Sequence, residues 1–264
     1  MTSFPEILLV IPCYRDVARL EPFLKDLLAR LGGQFAILIS DDGSGAEQEE
    51  RLRHLVEELR KQSMTSGAAR LLDPVFHHPN TGKGSAVRRG WEEGVGLGDY
   101  RLFAFADADG AVSATEILRG MRRMEQTDAP DVLFASRVKM LGRSISRDLR
   151  RHLAGRVFAT LVHLVSGTGA YDTQCGFKIL TAKAYGRVRG DLRSPGFAFD
   201  VELLMLLERA GVRVEEFPVD WHDIPGSKVH LLRDSFRMAR EILRIRNRLG
   251  TMGSSDIEAK DSQG

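Results

Sequence analysis

The 264-residue sequence lacks the features that mark membrane-spanning and secreted proteins. Its longest apolar stretch, residues 157–165, includes a histidine and is far shorter than the roughly 20 residues that a helix needs to cross a bilayer. The first residues do not show the basic segment and apolar run of a secretion signal, so we do not expect the protein to be secreted. Its two cysteines, Cys13 and Cys175, suit reduced thiols better than a disulfide scaffold. We therefore expect a cytoplasmic protein.

Glycine and proline are also too few for a collagen-like or disordered chain, at 26 and 9 residues. The length suits one large α/β domain. We expect that domain over residues 1–228, a basic amphipathic helix over 229–250 and a disordered tail over 251–264.

An excess of charge of one sign is missing as well, since the formal net charge is only +2. The charge is nevertheless unevenly distributed. Residues 137–156 carry seven Lys or Arg against one acid, and residues 228–248 carry seven against two, so the rest of the chain is net acidic. Basic segments of this kind either meet anionic partners such as phosphates, nucleic acid and acidic membranes, or are solvated helix faces.

Short apolar runs alternate with segments of helical periodicity, which predicts an α/β fold with a mostly parallel sheet and helices on both faces. Such sheets bind ligands at the carboxyl ends of their strands. The predicted strands are 7–11, 35–40, 69–76, 100–106, 132–136, a strand-like return over 172–180, and 212–219. The predicted helices are 17–31, 47–62, 85–93, 113–125, 147–165, a helix ending at 209, and 231–249.

The sharpest chemical signal is the Asp107-Ala108-Asp109 motif, which directly follows the apolar strand ending at Ala106. Hard divalent cations prefer oxygen ligands and often use one or two carboxylates together with substrate phosphates. The alternative is a pair of ordinary turn and helix-cap acids. A second acidic turn begins at Asp41, also after a strand, so both turns are expected on one rim. Their acids would repel each other unless a cation, Mg²⁺ or Mn²⁺, or hydrogen-bond donors sit between them.

Seven segments in order resemble family 2 inverting glycosyltransferases of the GT-A fold. Four carry the family pattern: IPCYRD at 11–16, DDGS at 41–44, NTGKGSAV at 80–87 and DADGA at 107–111. Three more, DTQCGFK at 172–178, FDVELL at 199–204 and GSK at 226–228, are similar to the dolichyl-phosphate β-glucosyltransferase branch.

The resemblance implies a nucleotide-sugar donor, UDP-glucose or GDP-mannose, bound at the rim. Asp109 is implied as the first metal ligand and Asp107 as the second. Lys83 is implied near the phosphates or ribose, its alternative being an exposed turn lysine. The remaining donor-site candidates are Pro12, Tyr14, Asp16, Asp41, Ala106 and Ala108.

The resemblance also implies phosphate-binding residues in the basic segments. Arg137 matches an arginine that relatives aim at the donor diphosphate or the acceptor phosphate, and Lys228 would close over the diphosphate. The candidates for an acceptor lipid phosphate are Arg147, Arg150 and Arg151. Each could instead be a solvated surface charge.

Asp200 has three interpretations. A sugar hydroxyl acceptor needs a general base, for which Asp200 is a candidate. A phosphate acceptor already carries charge at pH 7, because its second pKa is about 6, and Asp200 would then position other groups. Otherwise Asp200, like Glu202, is simply an acid at the start of a helix.

The terminal helix bears on the acceptor. Arg233, Arg237, Arg240, Arg244 and Arg248 recur at helical spacing beside an apolar stripe of Leu232, Phe236, Ala239 and Leu243. Such a helix either lies on an anionic membrane surface or docks on the domain core.

Three functions follow. The first is transfer of a hexose to a polyprenyl phosphate at the cytosolic face of a membrane, and the second is transfer to a hydroxyl acceptor. The third, nucleic-acid binding, is disfavoured by the acidic rim and by the scarcity of aromatic residues, at 7%.

Overall fold

A computed structural model describes residues 5–62, 67–138, 145–146, 171–222, 224 and 231–251. Side chains of the last segment are described for residues 237–250. The predicted helix over 147–165, the segment 225–230 and the tail from 252 onward lie outside the described residues.

The predicted mostly parallel sheet is confirmed. The strands of the described residues are β1 (Ile7–Cys13), β2 (Phe35–Asp41), β3 (Arg70–Leu71), β4 (Val75–Phe76), β5 (Leu102–Ala106), β6 (Val132–Ser136), β7 (Ile145–Ser146), β8 (Phe177–Thr181), β9 (Val214–Pro218) and β10 (Trp221–His222). Eight of these form one sheet in the order β3-β2-β1-β5-β8-β6-β9, with β4 also pairing with β2, and among them only β8 runs antiparallel to its neighbours. A separate pair joins β7 to β10.

Helices cover both faces of the sheet, because the central strands are apolar on both sides. The helices of the described residues are α1 (Val17–Arg30), α2 (Ala46–Gln62), α3 (Lys83–Leu97), α4 (Ala114–Met124), α5 (Ala182–Val188), α6 (Phe199–Arg209) and α7 (Leu231–Thr251). In β1, Leu9 packs into one core with α1, α2 and α4, whereas Leu8 packs into a second core with α3, α5, α6 and α7.

Several predicted boundaries were wrong. The single strand expected over 69–76 is two short strands, β3 and β4, separated by a segment that contains Pro74. Helix α3 begins at Lys83 rather than at residue 85, and the short helix α5 was not predicted. Helix α7 extends to Thr251, which places that residue in the helix and not in the expected tail.

The terminal helix α7 docks on the domain through residues that were not part of the predicted apolar stripe, of which the side chains of Leu232 and Phe236 lie outside the described ones. Ile242, Ile245 and Leu249 are buried in the core that includes α6, whereas Leu243 of the predicted stripe is 42% exposed. The arginines at 237, 240 and 244 face solvent. In the part of the chain that the structure describes, no helix has both the length and the apolar character needed to cross a bilayer.

Candidate active site

The carboxyl ends of three central strands bring the predicted site residues to one edge of the sheet. Strand β1 lies between β2 and β5 and runs parallel to both. The turns that begin at Asp41 and Asp107 therefore flank the segment that follows Cys13. The predicted common rim for the two acidic turns is present.

The two acids after β2 have different roles. Asp41 is buried, and its carboxylate accepts hydrogen bonds from the backbone N–H of Ser44 at 2.9 Å and from the Ser44 hydroxyl at 2.5 Å. Asp42 accepts from Asn80 Nδ2 at 2.8 Å and from the backbone N–H of Gly82 at 2.6 Å. Asp42 thus fixes the loop that leads into α3, a role that the sequence did not reveal.

Lys83, the first residue of α3, reaches the Asp-x-Asp motif. Its Nζ lies 2.7 Å from Asp107 Oδ1 and 3.7 Å from Asp200 Oδ2. Burial alone would lower the pKa of Lys83, but the nearby carboxylates of Asp107 and Asp200 outweigh it and the pKa is raised. Lys83 is therefore a mostly buried, charged group at the site and not an exposed turn lysine.

Two carboxylates of the motif stand together at this edge. The backbone N–H of Asp107 donates to Gly176 O at 2.8 Å, and Asp109 Oδ1 accepts from the backbone N–H of Ala111 at 3.0 Å. Burial raises the pKa of Asp109, and the negative charge of Asp107 raises it further. Carboxylates that repel each other in this way fit a divalent cation, which removes the repulsion.

The donor set supplies only part of a metal's coordination. Among the described residues, no group of three or more His, Cys, Asp or Glu side chains is arranged to hold a metal ion. Mg²⁺ is typically held by one or two carboxylates, and substrate phosphates complete its shell. The residues present thus fit a metal that binds together with a diphosphate.

Asp200 is buried between two lysines. Its Oδ1 accepts from Lys178 Nζ at 2.6 Å, and its Oδ2 faces Lys83. Lys178 is fully buried and also donates to the carbonyls of Thr173 at 2.9 Å and Cys175 at 2.6 Å. Sequence reasoning missed Lys178, although a lysine between Phe177 and Ile179 in an apolar strand signals a buried ion pair.

Arg137 follows β6 and is engaged by a carboxylate of the chain itself. Its Nε and Nη2 donate to the two oxygens of Asp172 at 2.7 and 2.8 Å. Burial would lower the pKa of Arg137, but the charge of Asp172 raises it. Burial would likewise raise the pKa of Asp172, but the charge of Arg137 lowers it. Both groups therefore stay charged. The guanidinium N–H groups of Arg137 that were expected to bind a phosphate are instead bound to Asp172.

The structure describes some of the remaining predicted site residues but not all of them. Asp16 precedes α1 and forms a two-point ion pair with Arg19, while Tyr14 is 36% exposed. Cys175 is a buried free thiol of the core, and burial raises its pKa to about 12, which makes it a packing residue and not a nucleophile. Pro12, the second-last residue of β1, pairs with Ser40 of β2, and Ala106 and Ala108 are buried next to Asp107. Arg147, Arg150, Arg151 and Lys228 lie outside the described residues.

Comparison with known proteins gives a consistent picture. The sequence profile of "Glycosyl transferase family 2" matches residues 8–188. The chain is similar to "Dolichyl-phosphate beta-glucosyltransferase" of Saccharomyces cerevisiae, with 32% identity covering 90% of this chain and 73% of the yeast protein. The protein of the same name from Dictyostelium discoideum is 31% identical with the same coverage.

Solved structures share the fold. Glucosyl-3-phosphoglycerate synthase from Mycobacterium tuberculosis, crystallised with Mn²⁺, UDP and glucosyl-3-phosphoglycerate, superposes with a TM-score of 0.62. It is 14% identical, and the match covers 95% of this chain and 82% of that one.

Proposed function

Because the chain belongs to glycosyltransferase family 2, we propose that it transfers glucose from UDP-glucose to a polyprenyl phosphate such as dolichyl phosphate, with inversion at the sugar. One observation carries the proposal: an Asp-x-Asp motif with a buried lysine stands at the ligand-binding edge of a sheet, in a chain similar over 90% of its length to enzymes named for that reaction. UDP-glucose is favoured over GDP-mannose as the donor, because both relatives compared above are named glucosyltransferases.

The donor diphosphate is proposed to bind beside Asp107 and Asp109, which would hold Mg²⁺ or Mn²⁺. When bound, the metal supplies positive charge to the departing nucleoside diphosphate. Lys83 adds a fixed ammonium group at the same place, because its Nζ is held 2.7 Å from Asp107. A buried, preorganised charge stabilises developing negative charge better than a mobile solvent-exposed one does.

The surroundings of Asp200 favour a phosphate acceptor over a hydroxyl acceptor. A general base must reach the proton of the acceptor, but Asp200 is 1% exposed and both its oxygens face lysine ammonium groups. It is better suited to position Lys83 and Lys178. A phosphate monoester needs no base, because it is already ionised at neutral pH.

The acceptor is proposed to reach the enzyme at the cytosolic face of a membrane. The exposed side of α7 presents Arg237, Arg240 and Arg244, with Leu243 among them. Since the opposite side of α7 packs on the domain core, attachment would be peripheral and mainly electrostatic.

A transfer assay tests the reaction. Purified protein is incubated with Mn²⁺ or Mg²⁺, UDP-glucose labelled in the sugar, and a short-chain polyprenyl phosphate. We expect label in the organic phase that depends on both the metal and the phosphate group, so the corresponding polyprenol should stay unlabelled. GDP-mannose in place of UDP-glucose tests the donor.

Two results would overturn the proposal. Labelling of water-soluble sugars with none in the lipid would identify a hydroxyl acceptor, and loss of that activity in Asp200→Asn would then make Asp200 the base. Full lipid labelling in the presence of excess chelator would show that the transfer does not require a metal.

A further inference from the structure

Glu202, a buried acid in the first turn of α6, organises the loop that precedes this helix. Its side chain is fully buried. Its Oε2 accepts from the backbone N–H groups of Arg193 at 2.9 Å and Ser194 at 2.7 Å. Because buried backbone donors need partners, this carboxylate holds the loop in one conformation.

The loop that Glu202 holds, residues 193–195, packs against residues 82–85, which we call the Lys83 segment. The carbonyl of Pro195 accepts from the backbone N–H of Ser85 at 3.0 Å. The packing is close enough to require glycine on both sides of Lys83: a Cβ at Gly82 would lie 2.6 Å from Pro195 O, and one at Gly84 would lie 2.6 Å from Ser194 O. A shift of this loop would therefore move the start of α3.

Arg248, near the end of α7, provides the counter-charge for Glu202. Its Nη2 donates to Glu202 Oε1 and, at 3.4 Å, to the carbonyl of Asp191. Arg248 thus differs from the other arginines of α7 described above, because its guanidinium turns toward the core. Ile245 and Leu249 are buried alongside it.

We propose that Arg248 and Glu202 are a positioning pair through which the terminal helix α7 fixes the placement of Lys83 at the donor site. Glu202 links α7 to the loop at 193–195, and that loop supports Gly82 to Ser85. Loss of Arg248 leaves a buried carboxylate without its counter-charge, which is strongly unfavourable, so the loop and the Lys83 segment rearrange. The catalytic significance of this pair rests on the proposed function.

Three variants and one control test the pair. Arg248→Met removes the counter-charge, and Arg248→Lys keeps a cation at this position. Combining Arg248→Met with Glu202→Gln keeps an acceptor for the loop while removing the unpaired charge. Arg101→Met is the control, because Arg101 pairs with Glu6 in an exposed ion pair that contacts neither the loop nor α7.

Hydrogen exchange and donor kinetics are measured on each. In Arg248→Met we expect faster exchange at the amides of residues 85–86 and 193–194, and a kcat lowered about tenfold with the KM for UDP-glucose changed by less than about threefold, because Lys83 is proposed to act on charge that develops in the transition state. Arg248→Lys and the double variant should recover both properties in part, and Arg101→Met should match the unaltered protein.

The outcomes separate this inference from the proposed function. Faster exchange confined to α7, with the amides of residues 85–86 unchanged, would overturn the positioning pair. A double variant no better than Arg248→Met would do the same. If the exchange pattern is as expected but the unaltered protein transfers no glucose, the pair stands as a structural link and the proposed function fails.

Discussion

At the scale of single residues, charges alternate through the candidate site. Asp107, Lys83, Asp200 and Lys178 follow one another through contacts of 2.7, 3.7 and 2.6 Å. Each inner member lies between two opposite charges, which compensates for its burial. The outer end, Asp107, is the most exposed member and stands next to Asp109, so a metal and a diphosphate would meet the chain of charges there.

Asp109→Asn is expected to lower kcat/KM by roughly two to three orders of magnitude, because it removes the charge of the proposed metal ligand while keeping an oxygen for the Ala111 amide. We also expect Mn²⁺ together with UDP to raise the melting temperature of the unaltered protein but not that of the variant. Asp99→Asn is the matched control, since Asp99 is exposed and precedes the opposite end of β5. Near-normal transfer by Asp109→Asn would exclude the metal role.

Lys178→Met tests the buried end of the chain of charges. It removes the hydrogen bonds that Lys178 donates to Asp200 and to the carbonyls of Thr173 and Cys175, and we expect the free energy of unfolding to fall by about 3–5 kcal/mol. Denaturation in urea measures this. The exposed Lys183, changed to Met, should alter stability by less than about 0.5 kcal/mol. Equal stabilities for the two variants would show that Lys178 is not needed to neutralise Asp200.

Sequence reasoning located the residues of the Asp-x-Asp motif but not their partners. The motif is recognisable because it follows an apolar strand, and the family to which it points is confirmed by the profile match. Lys178 was missed because its partner, Asp200, is distant in the chain. Glu202 was noted as an acid at the start of a helix, but its pairing with the distant Arg248 was not foreseen. Pairing across such distances depends on the packing of elements, which no local pattern encodes.

At the scale of elements, the placement of the site depends on how closely α3 approaches the loop before α6. Gly84 has no room for a side chain, since a Cβ would lie 2.5 Å from Phe199 Cβ and 2.6 Å from Ser194 O. The sequence places glycines on both sides of Lys83, but their spacing is not that of a P-loop. The structure gives a different reason for them, namely contact between two backbone segments.

Gly84→Ala should therefore destabilise the protein by about 1–3 kcal/mol and reduce transfer, because overpacking displaces the start of α3 and with it Lys83. Gly96→Ala in the same helix is the control. A Cβ at Gly96 has no atom within 4 Å, so alanine should be neutral or stabilising there by up to about 1 kcal/mol. Thermal unfolding and the transfer assay measure both variants, and equal behaviour would refute the role of close packing.

At the scale of the whole molecule, the order of strands was harder to predict than their existence. Alternating strands and helices indicate a parallel sheet, but β8 enters between β5 and β6 in the antiparallel direction. This insertion brings Asp172 to Arg137 and Gly176 to Asp107. Because the segment 172–180 was expected only as a strand-like return, these contacts could not be deduced.

The distribution of charge over the molecule leads to the last prediction. Replacement of Arg237, Arg240 and Arg244 by Gln should weaken binding to vesicles of phosphatidylserine and phosphatidylcholine by about two orders of magnitude, since each basic residue near such a surface contributes about 1 kcal/mol. Sedimentation with vesicles measures this. Binding of the unaltered protein should fall steeply as salt is raised from about 0.05 to 0.5 M.

A control for total charge decides whether the face of α7 matters. Lys25, Arg51 and Lys61 are exposed on α1 and α2, which cover the opposite face of the sheet, and their replacement by Gln removes the same charge. This variant should bind vesicles almost as well as the unaltered protein. If both triple variants lose binding equally, the attraction reflects net charge alone. If neither loses it, α7 does not face the membrane, and the acceptor must approach the site from another side.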